Sequence, residues 1–547
     1  MLFKNTPACE DGLKHVYLTP KKLIIKDGVE GTAAISGGGA MEPFLTARKL
    51  CTIPQGCVLL VDFGEEISGG MRLVFHKNDG KRVRMTFGES CAEALSSIGE
   101  DGSTNDHATR DTVIEVQSYG VTEYGRQGFR FVRIEAVDAP LRLTGLFARA
   151  DFRDLAWLGS FESSDKRLSE IWRVGARTVH LCMQDMLYDG IKRDRLVSVG
   201  GMHPAVRAAL SLFGQTECIR KSLDFAKNTT PRGEWMNGFP SYSLWWVLIQ
   251  YDVYMHGGDK AYLEESIGCM LDILARFSVH IQNDGGIMGL NNFLDLSMYD
   301  NNSAKDAAFG ALAVMAFERG AFLCREIGTD DLNATADVLM QYASRLSRHV
   351  SWSINKQAVA MQVLSGQKDA VGARETLMKD TPHSISVFFG YYVLLALSLG
   401  GNTKHALDTV KKYWGAMIDL GATSFFESFE LSEVEGDAPP LKINAIPADG
   451  FKNVYAEGGQ HCCKGYRRSL CHGWASGPLS WITEHILGVE ILEPGCRRVR
   501  IKPCLAGLSW FKGSFPTPYG NIEISVTKTD GEPLIEIKAP SGVEIVR

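Results

Sequence analysis

"SSDKRLSEIWRVGARTVHLCMQDML", residues 163–187, is where the chain changes character. Its apolar residues recur at helical spacing, behind serines able to cap a helix start. N-terminal to it, from about residue 20 to 150, the pattern is that of strands. "GCVLLVDFG", "GGMRLVFHK", "KRVRMTFGES", "DTVIEVQSYG" and "GFRFVRIEAV" alternate or are rich in Val, Ile and Phe, punctuated by Gly, Asp and Asn. Repeated short strands of this kind predict an antiparallel β-sandwich. The polar stretch "SSIGEDGSTNDHATRD" reads as a long loop between them.

C-terminal to the dividing stretch, helical segments run to about residue 488. "AVRAALSLFG", "SYSLWWVLIQYDVYMHGG", "AKDAAFGALAVMAFERGAFLCREIG" and "SISVFFGYYVLLALSLGG" are among them, several closed by glycine. Paired helices over ~320 residues fit a helical toroid better than a four-helix bundle, and no repeat marks a regular solenoid. After Pro494 strands return in "RRVRIKPCL", "WFKGSFPTPYG", "NIEISVTKTD" and "PLIEIKAP". This tail is too short for an independent core and is expected to pack on the helical domain. The expected organisation is a multidomain chain: an N-terminal antiparallel β-sandwich over 1–155, a helical toroid over 156–490 and a small C-terminal β-sheet domain over 491–547.

The totals agree with several domains, since 547 residues exceed what one core encloses. Hydrophobic residues at 45% and charged residues at 22% are ordinary for a globular chain. A formal net charge of -6 gives no reason to expect nucleic acid or an anionic membrane as partner. Ten Trp, 16 Tyr and 26 Phe are a generous supply of faces for carbohydrate rings, although most aromatics in any protein are core. Thirteen irregularly spaced cysteines argue for free thiols in a reducing compartment rather than a disulfide framework. No signal-peptide run opens the sequence and no stretch of 18 apolar residues occurs. The expected location is cytoplasmic, or periplasmic if a leader had been trimmed.

Five constellations carry candidate chemistry. In "YDGIKRDRLVSVGGMHP", residues 188–204, Asp189 and Asp194 bracket Lys192 and Arg193, with Arg195 next. Charges of both signs crowded this way read equally as an ionic knot anchoring a loop or as a sugar clamp holding a carboxylic acid tuned by its neighbours. In "GATSFFESFELSEVEGDAP", Glu427 sits among Phe425, Phe426 and Phe429. Desolvated there, it suits a general base; the plainer reading is an exposed glutamate on an amphipathic segment. His472, ahead of Gly473 and Trp474 in "RRSLCHGWASGP", suits a hydrogen bond to substrate or a helix cap. In "GEWMNGFPSYSLWW", Trp235, Trp245 and Trp246 suit a pocket wall or the core, and Asp295 in "GLNNFLDLSMYDNN" suits a substrate ligand or a cap. His461, Cys462, Cys463, Cys471 and His472 cluster without any C-x-x-C spacing, so no metal is expected. Phosphate-cradling and nucleophile-elbow motifs are missing too, and no cofactor is expected.

With "DGIKRDRLVSVGGMHP", "SYSLWWVLIQYDVYMHGGD", "TSFFESF" and "SLCHGWASGP" following one another in this order, the chain resembles the bacterial α-L-rhamnosidases of glycoside hydrolase family 78, of the six-hairpin glycosidase type. The likeness runs from about residue 50 onward, and "GFRFVRIE" resembles the end of that family's sandwich domain. The resemblance implies an (α/α)6 barrel as catalytic domain and hydrolysis that inverts the anomeric centre without a cofactor. It implies Asp194 as general acid, where the family usually has Glu, and Glu427 as general base. It places Asp189, Arg193 and His472 on the sugar, with Asp295 matching more loosely, and Trp235, Trp246 and Trp474 are expected in the substrate wall beside them. The implied partner is a glycoside or oligosaccharide; a homodimer is compatible with the sequence but not dictated by it.

The departures bear on specificity. Ser198 stands where the motif usually has Trp, Gly201 where it has a second sugar-binding Asp, and Leu296 at a commonly aromatic position; the close branch has an acidic residue at Ala205. Small residues at 198 and 201 are expected to leave volume, to weaken action on plain rhamnosides, and to be corrected by Gly201→Asp with Ser198→Trp. Two alternatives stay open: a pseudo-enzyme or carbohydrate-binding protein on the same fold, and a six-hairpin glycosidase for another sugar, such as a uronic acid or a fucose-like sugar.

Overall fold

The computed structural model describes residues 12–46, 49–78 and 81–547. The chain divides into two compact units, each assembled from separate stretches. One comprises the described residues up to Asp154 together with His180–Leu196 and Met417–His472; the other comprises Leu155–Val179, Val197–Ala416 and Gly473–Arg547.

The first unit is built on an antiparallel sheet of β1 (Leu13–Leu18), β2 (Lys22–Ile25), β3 (Cys51–Ile53), β4 (Val58–His76), β5 (Lys81–Gly88), β6 (Asp111–Val116), β7 (Tyr119–Ala136) and β8 (Leu141–Arg153). Its order is β1-β8-β4-β7-β5-β6, with β2 on β4 and β3 on β8. Period-two alternation sends Leu59, Val61 and Phe63, then Met71, Leu73 and Phe75, into one core with Val132 and Ile134. Phe129 fills its centre, edge-on to Phe63 and Phe87 with ring centroids 6.1 and 5.0 Å away.

"GCVLLVDFG" and "GGMRLVFHK", expected as two strands, form the single strand β4. Glycines 69 and 70 do not turn the chain here. A side chain at Gly70 would collide with the backbone oxygens of Tyr124 and Gly125, so the glycines admit a close neighbouring strand. The register shifts at this point, as at a bulge. After β5 comes the short helix α1 (Cys91–Leu95), capped by the Ser90 hydroxyl, which accepts from Glu93 N at 3.1 Å. The polar stretch that follows is a loop with one 3-10 turn at Glu100–Gly102. Arg110 pins it by donating to Glu93 O (2.7 Å) and Ser96 O (3.0 Å).

The remaining helices are α2 (Lys166–Cys182), α3 (Val199–Phe213), α4 (Glu217–Thr229), α5 (Pro240–Gly257), α6 (Lys260–Ser278), α7 (Asn302–Ile327), α8 (Asp330–Arg348), α9 (Lys356–Leu364), α10 (Arg374–Met378), α11 (Val387–Leu399), α12 (Thr403–Asp419), α13 (Val454–Glu457) and α14 (Gly477–His485). In the second unit α3 packs on α5, α5 on α7, α7 on α9, α9 on α11 and α11 on α14, and α14 returns to α3. Sequence explains the roles. α5 and α11 are apolar and buried nearly all round, whereas α4 and α8 are amphipathic with one buried stripe. Caps set the ends: Asp259, Asn301, Thr329 and Ser386 accept first-turn amides, and α5 and α7 stop at the left-handed Gly258 and Gly328. By length and composition α7 could cross a membrane, but 78% of its apolar window is buried inside the structure.

α3 begins at Val199, earlier than the helical pattern of "AVRAALSLFG" indicates, and takes in Gly200 and Gly201. Its first amide donates to Asn237 Oδ1 at 3.1 Å. A Cβ on Gly201 would stand 2.7 Å from Cε3 of Trp474, and one on Gly200 would enter the ring of Tyr242. The volume expected beside Gly201 is therefore occupied. The glycines let aromatic rings lie against the helix backbone, which corrects the reading of an open wall.

The C-terminal strands form two small sheets. β9 (Ser160–Ser163), from before the helices, joins β12 (Trp510–Thr517), β13 (Gly520–Thr527) and β14 (Leu534–Lys538) in the order β14-β13-β12-β9. β10 (Val489–Ile491), β11 (Arg498–Ile501) and β15 (Glu544–Val546) make the other. They pack on the helices of their own unit: His256 Nε2 donates to Pro516 O at 3.0 Å, and its ring meets Phe515 edge-on.

Candidate active site

Residues 188–196 form a tight loop in the first unit. Asp189 closes it: Oδ1 accepts from the amides of Gly190 (2.7 Å) and Leu196 (3.0 Å), and the Asp189 amide donates to Leu196 O (3.0 Å). Arg195 has a left-handed backbone, φ 50°, and its guanidinium lies 5.5 Å from the centroid of the Tyr188 ring. Burial, then the nearby Asp194, pushes the Asp189 carboxyl up to about 7.

Lys192 and Arg193 take different partners, and both readings of the charge cluster apply, one to each. Lys192 Nζ donates to Tyr466 O (2.5 Å) and Arg468 O (2.7 Å) and pairs with Glu93 (2.8 Å) and Glu89 (3.5 Å). Glu89 also accepts from the Leu470 amide and from Ser469 Oγ (3.1 Å). Burial raises the Glu89 carboxyl against the pull of Lys192. This half is an ionic knot.

Arg193 makes the other half. Nε donates to Arg467 O at 2.6 Å, Nη1 pairs with Asp194, and Nη2 donates to Glu427 Oε1 and Oε2 at 3.1 and 3.3 Å. Glu427 follows α12 between the buried rings of Phe425, Phe426 and Phe429 and is 4% exposed. A reciprocal pair fixes it: its amide donates to Ser469 O and the Ser469 amide donates to Oε2, both at 2.9 Å. Burial alone would raise the Glu427 carboxyl; Arg193, with the Cys463 thiol and the Ser469 amide, outweighs it and holds the group below its ordinary value. Asp194 is more open, its side chain 20% exposed, and has His107 Nδ1 at 3.3 Å. Burial raises it, and Arg193 only partly pulls it back. The two carboxyls are thus driven in opposite directions, the environment that separates an acid from a base.

His472 belongs to the same unit. Its amide donates to Phe425 O at 2.9 Å, and its ring passes close to Gly190, where a Cβ would stand 3.3 Å from Cδ2. Burial lowers it to about 4, so near neutral pH it is an uncharged hydrogen-bonding ring.

The structure thus gathers Asp189, Arg193, Asp194, Glu427 and His472 in one unit, while Trp235, Trp246, Asp295 and Trp474 belong to the other. Trp246 is fully buried, its indole donating to Leu223 O at 3.2 Å, so it is core and not a pocket wall; Trp245 is likewise fully buried. Trp235 is half-buried under Arg276, whose guanidinium lies 4.6 Å from the ring centroid. Asp295 caps the 3-10 turn Leu296–Met298, accepting from Ser297 N (3.1 Å) and Oγ (2.6 Å). Trp474 rests on Gly201 and on Phe388, centroids 5.5 Å apart.

Glu89, Glu93, Asp106, His107 and Ser469 lie outside the constellations legible in the sequence, and Cys463, weighed there only within a possible metal cluster, instead contacts Glu427. Asp106 pairs with Arg467, the residue whose carbonyl anchors Arg193. The signal available for Asp106 and His107 was the polar insertion in the sheet domain, which reads as an ordinary loop. Among the described residues no group of three or more His, Cys, Asp or Glu side chains is arranged to hold a metal ion.

An antiparallel sheet domain, a helical middle and a small C-terminal sheet, with paired carboxyls on one guanidinium, define a multidomain, helix-centred class of chain. Residues 53–149 match the bacterial alpha-L-rhamnosidase concanavalin-like domain, and residues 488–546 match the bacterial alpha-L-rhamnosidase C-terminal domain. The chain resembles the bacterial α-L-rhamnosidases of glycoside hydrolase family 78. An alpha-L-rhamnosidase of Alteromonas sp. (strain LOR) is 23% identical over 539 residues, 89% of this chain and 55% of that protein. The fold is similar to that of the family 78 rhamnosidase of Bacillus sp. GL1, with a TM-score of 0.72 and 20% identity over 92% of this chain and 54% of that one. It is also similar to the rhamnosidase from Klebsiella oxytoca with rhamnose bound, with a TM-score of 0.66 and 16% identity over 86% of this chain and 95% of that one. The chain spans a little over half the length of the Alteromonas and Bacillus relatives.

Proposed function

We propose that this chain is a glycoside hydrolase that removes a terminal α-L-rhamnosyl or closely related residue with inversion, using Asp194 as general acid and Glu427 as general base. One observation carries the reading: a single guanidinium holds both carboxyls while burial raises Asp194 and the donors around Glu427 lower it. A raised carboxyl keeps a proton to give to the leaving glycosidic oxygen. A lowered one stays ionised and can draw a proton from an attacking water. The more exposed Asp194 suits contact with an outgoing aglycone, and the buried Glu427 suits a single ordered water. His472 supplies a neutral hydrogen-bonding ring to a sugar hydroxyl, and Asp189 holds the loop that presents both Arg193 and Asp194. The rhamnosidase domains and the rhamnose bound in the Klebsiella oxytoca protein support the sugar class. The returning contact of α14 with α3 supports an (α/α)6 toroid as the helical domain, and the one buried core enclosed by residues of β3 to β8 supports a sandwich.

The test is stereochemical. Proton NMR of the first sugar released from an aryl α-L-rhamnoside should show the β anomer before mutarotation. The α anomer, or a trapped glycosyl-enzyme, contradicts the mechanism, and no release from any aryl glycoside leaves the chain a binding protein.

A further inference from the structure

Two adjacent thiols lie beside Glu427. Cys463 is buried, with Sγ 3.0 Å from Glu427 Oε1 and 3.8 Å from Arg193 Nη2. Cys462 is exposed, with Sγ 3.7 Å from Cys463 Sγ. Both belong to the 3-10 turn His461–Cys463, which begins at a left-handed His461, φ 52°. An ionised carboxylate only accepts, so the 3.0 Å contact has the Cys463 thiol donating. That thiol joins Arg193 and the Ser469 amide as the third direction from which Glu427 is held.

The same thiol is open to chemistry through its neighbour. Among the described cysteines Cys462 alone is exposed; Cys57, Cys269 and Cys504 are half-buried and the others buried. The guanidinium groups of Arg193 and Arg467 near Cys462 favour its reactive thiolate. The two sulfurs are already in van der Waals contact, and a bond between adjacent cysteines closes a strained ring that reductants open readily.

We propose that Cys463 is a positioning residue for Glu427, and that Cys462 and Cys463 form an oxidisable vicinal dithiol whose closure by a hydroperoxide removes that donor. The positioning half rests on the reading of Glu427 as the base; the dithiol half does not. The Cys462 thiolate attacks the peroxide oxygen: an S–O bond forms, the O–O bond breaks, and the departing hydroxide takes a proton to become water. Cys463 Sγ then attacks the Cys462 sulfur, an S–S bond forms and the S–O bond breaks. The Cys463 proton passes to Glu427 Oε1 and on to the second hydroxide, which leaves as water. Two thiols are oxidised and one hydroperoxide is reduced. Sγ of Cys463 has moved toward Cys462 and carries no hydrogen for Glu427.

The full chain treated with hydrogen peroxide is digested with trypsin, and the peptide 453–464, which contains both thiols, is weighed. The expected result is the loss of two hydrogens, reversed by dithiothreitol and absent in Cys462→Ser and in Cys463→Ser. Stepwise oxygen addition at Cys462 without disulfide overturns the dithiol. In parallel, the rate on an aryl α-L-rhamnoside is expected to fall about tenfold on oxidation and to return on reduction, as befits one hydrogen bond to a charged group. Cys462→Ser should keep the basal rate and resist peroxide. Cys463→Ala should lose kcat about tenfold with KM little changed, and Cys463→Ser should restore it, because a hydroxyl also donates. An alanine variant equal to the native chain overturns the positioning role. A reduced native chain with no glycosidase activity overturns the base assignment, and the peptide mass still decides the dithiol.

Discussion

Asp194 and Glu427, far apart in the sequence, share the guanidinium of Arg193, one carboxyl at each terminal nitrogen. Equal sharing of a cation would leave both ionised. Unequal burial and hydrogen bonding break the symmetry, since Glu427 also takes the Ser469 amide and the Cys463 thiol, whereas Asp194 faces partly outward toward His107. Under the proposed mechanism, this asymmetry suits the two carboxyls to opposite roles.

Substitution separates the two roles. Asp194→Asn and Glu427→Gln are each expected to lower turnover by roughly 10²–10⁴-fold on a glycoside with a poor leaving group. An activated aryl leaving group needs little protonation, so it should recover much of the Asp194→Asn rate and none of the Glu427→Gln rate. Steady-state kinetics on paired substrates check this; equal recovery would mean the assignments are reversed or wrong.

Stability should depend on pH through the buried carboxyls. Asp189 is raised to about 7 and Glu89 is raised as well, so between roughly pH 4 and 7 these two carboxyls bind more protons in the folded chain than in the unfolded one, whereas His472 and His256, lowered to about 4, bind fewer. The carboxyls' contribution to stability therefore falls as pH rises through that window, while the histidines' contribution rises. Glu427 is lowered, so its contribution is present above its ordinary value and is lost only in more acidic solution. Thermal melts from pH 5 to pH 8 should show Asp189→Asn gaining stability relative to the native chain as pH rises, because the variant lacks the carboxyl that must ionise while buried. An unchanged slope in that variant would contradict the burial of Asp189.

Gly201 is a packing position. Gly201→Asp is expected to lower the melting temperature, in line with about 1–3 kcal/mol for overpacking a full site, and to give no gain on a plain rhamnoside. The obstacle is the Trp474 ring, 2.7 Å from where Cβ would lie. Trp474→Ala should therefore relieve part of the stability loss when combined with Gly201→Asp. A single Gly201→Asp variant that melts like the native chain and gains activity would refute this.

Lys192 holds two buried acids. Lys192→Met would leave Glu89 and Glu93 without their cation, and removing one partner of a buried pair costs about 3–5 kcal/mol. Denaturant titration should show that loss, and adding Glu93→Gln to the variant should return part of it. Full stability in Lys192→Met would place the knot at the surface.

The local patterns that sequence determines are those of nearest neighbours along the chain. Period two in residues 58–76 and helical spacing after residue 163 are legible because a strand or helix must turn its own apolar residues toward a core. The charge cluster at 188–196 and the phenylalanines around Glu427 stand out for the same reason, as does the resemblance that those segments carry in order. What a glycine or a charge is for is decided by residues distant in sequence. Gly70 reads as punctuation, yet admits the backbone at Tyr124 and Gly125; Gly201 reads as a vacancy, yet is filled by Trp474. Lys192 and Arg193 are adjacent and chemically alike. Only the tertiary structure gives one to Glu89 and Glu93 as a structural cation and the other to Asp194 and Glu427, because the cost of burying each carboxylate depends on the charges and donors that the fold, and not the local sequence, brings against it.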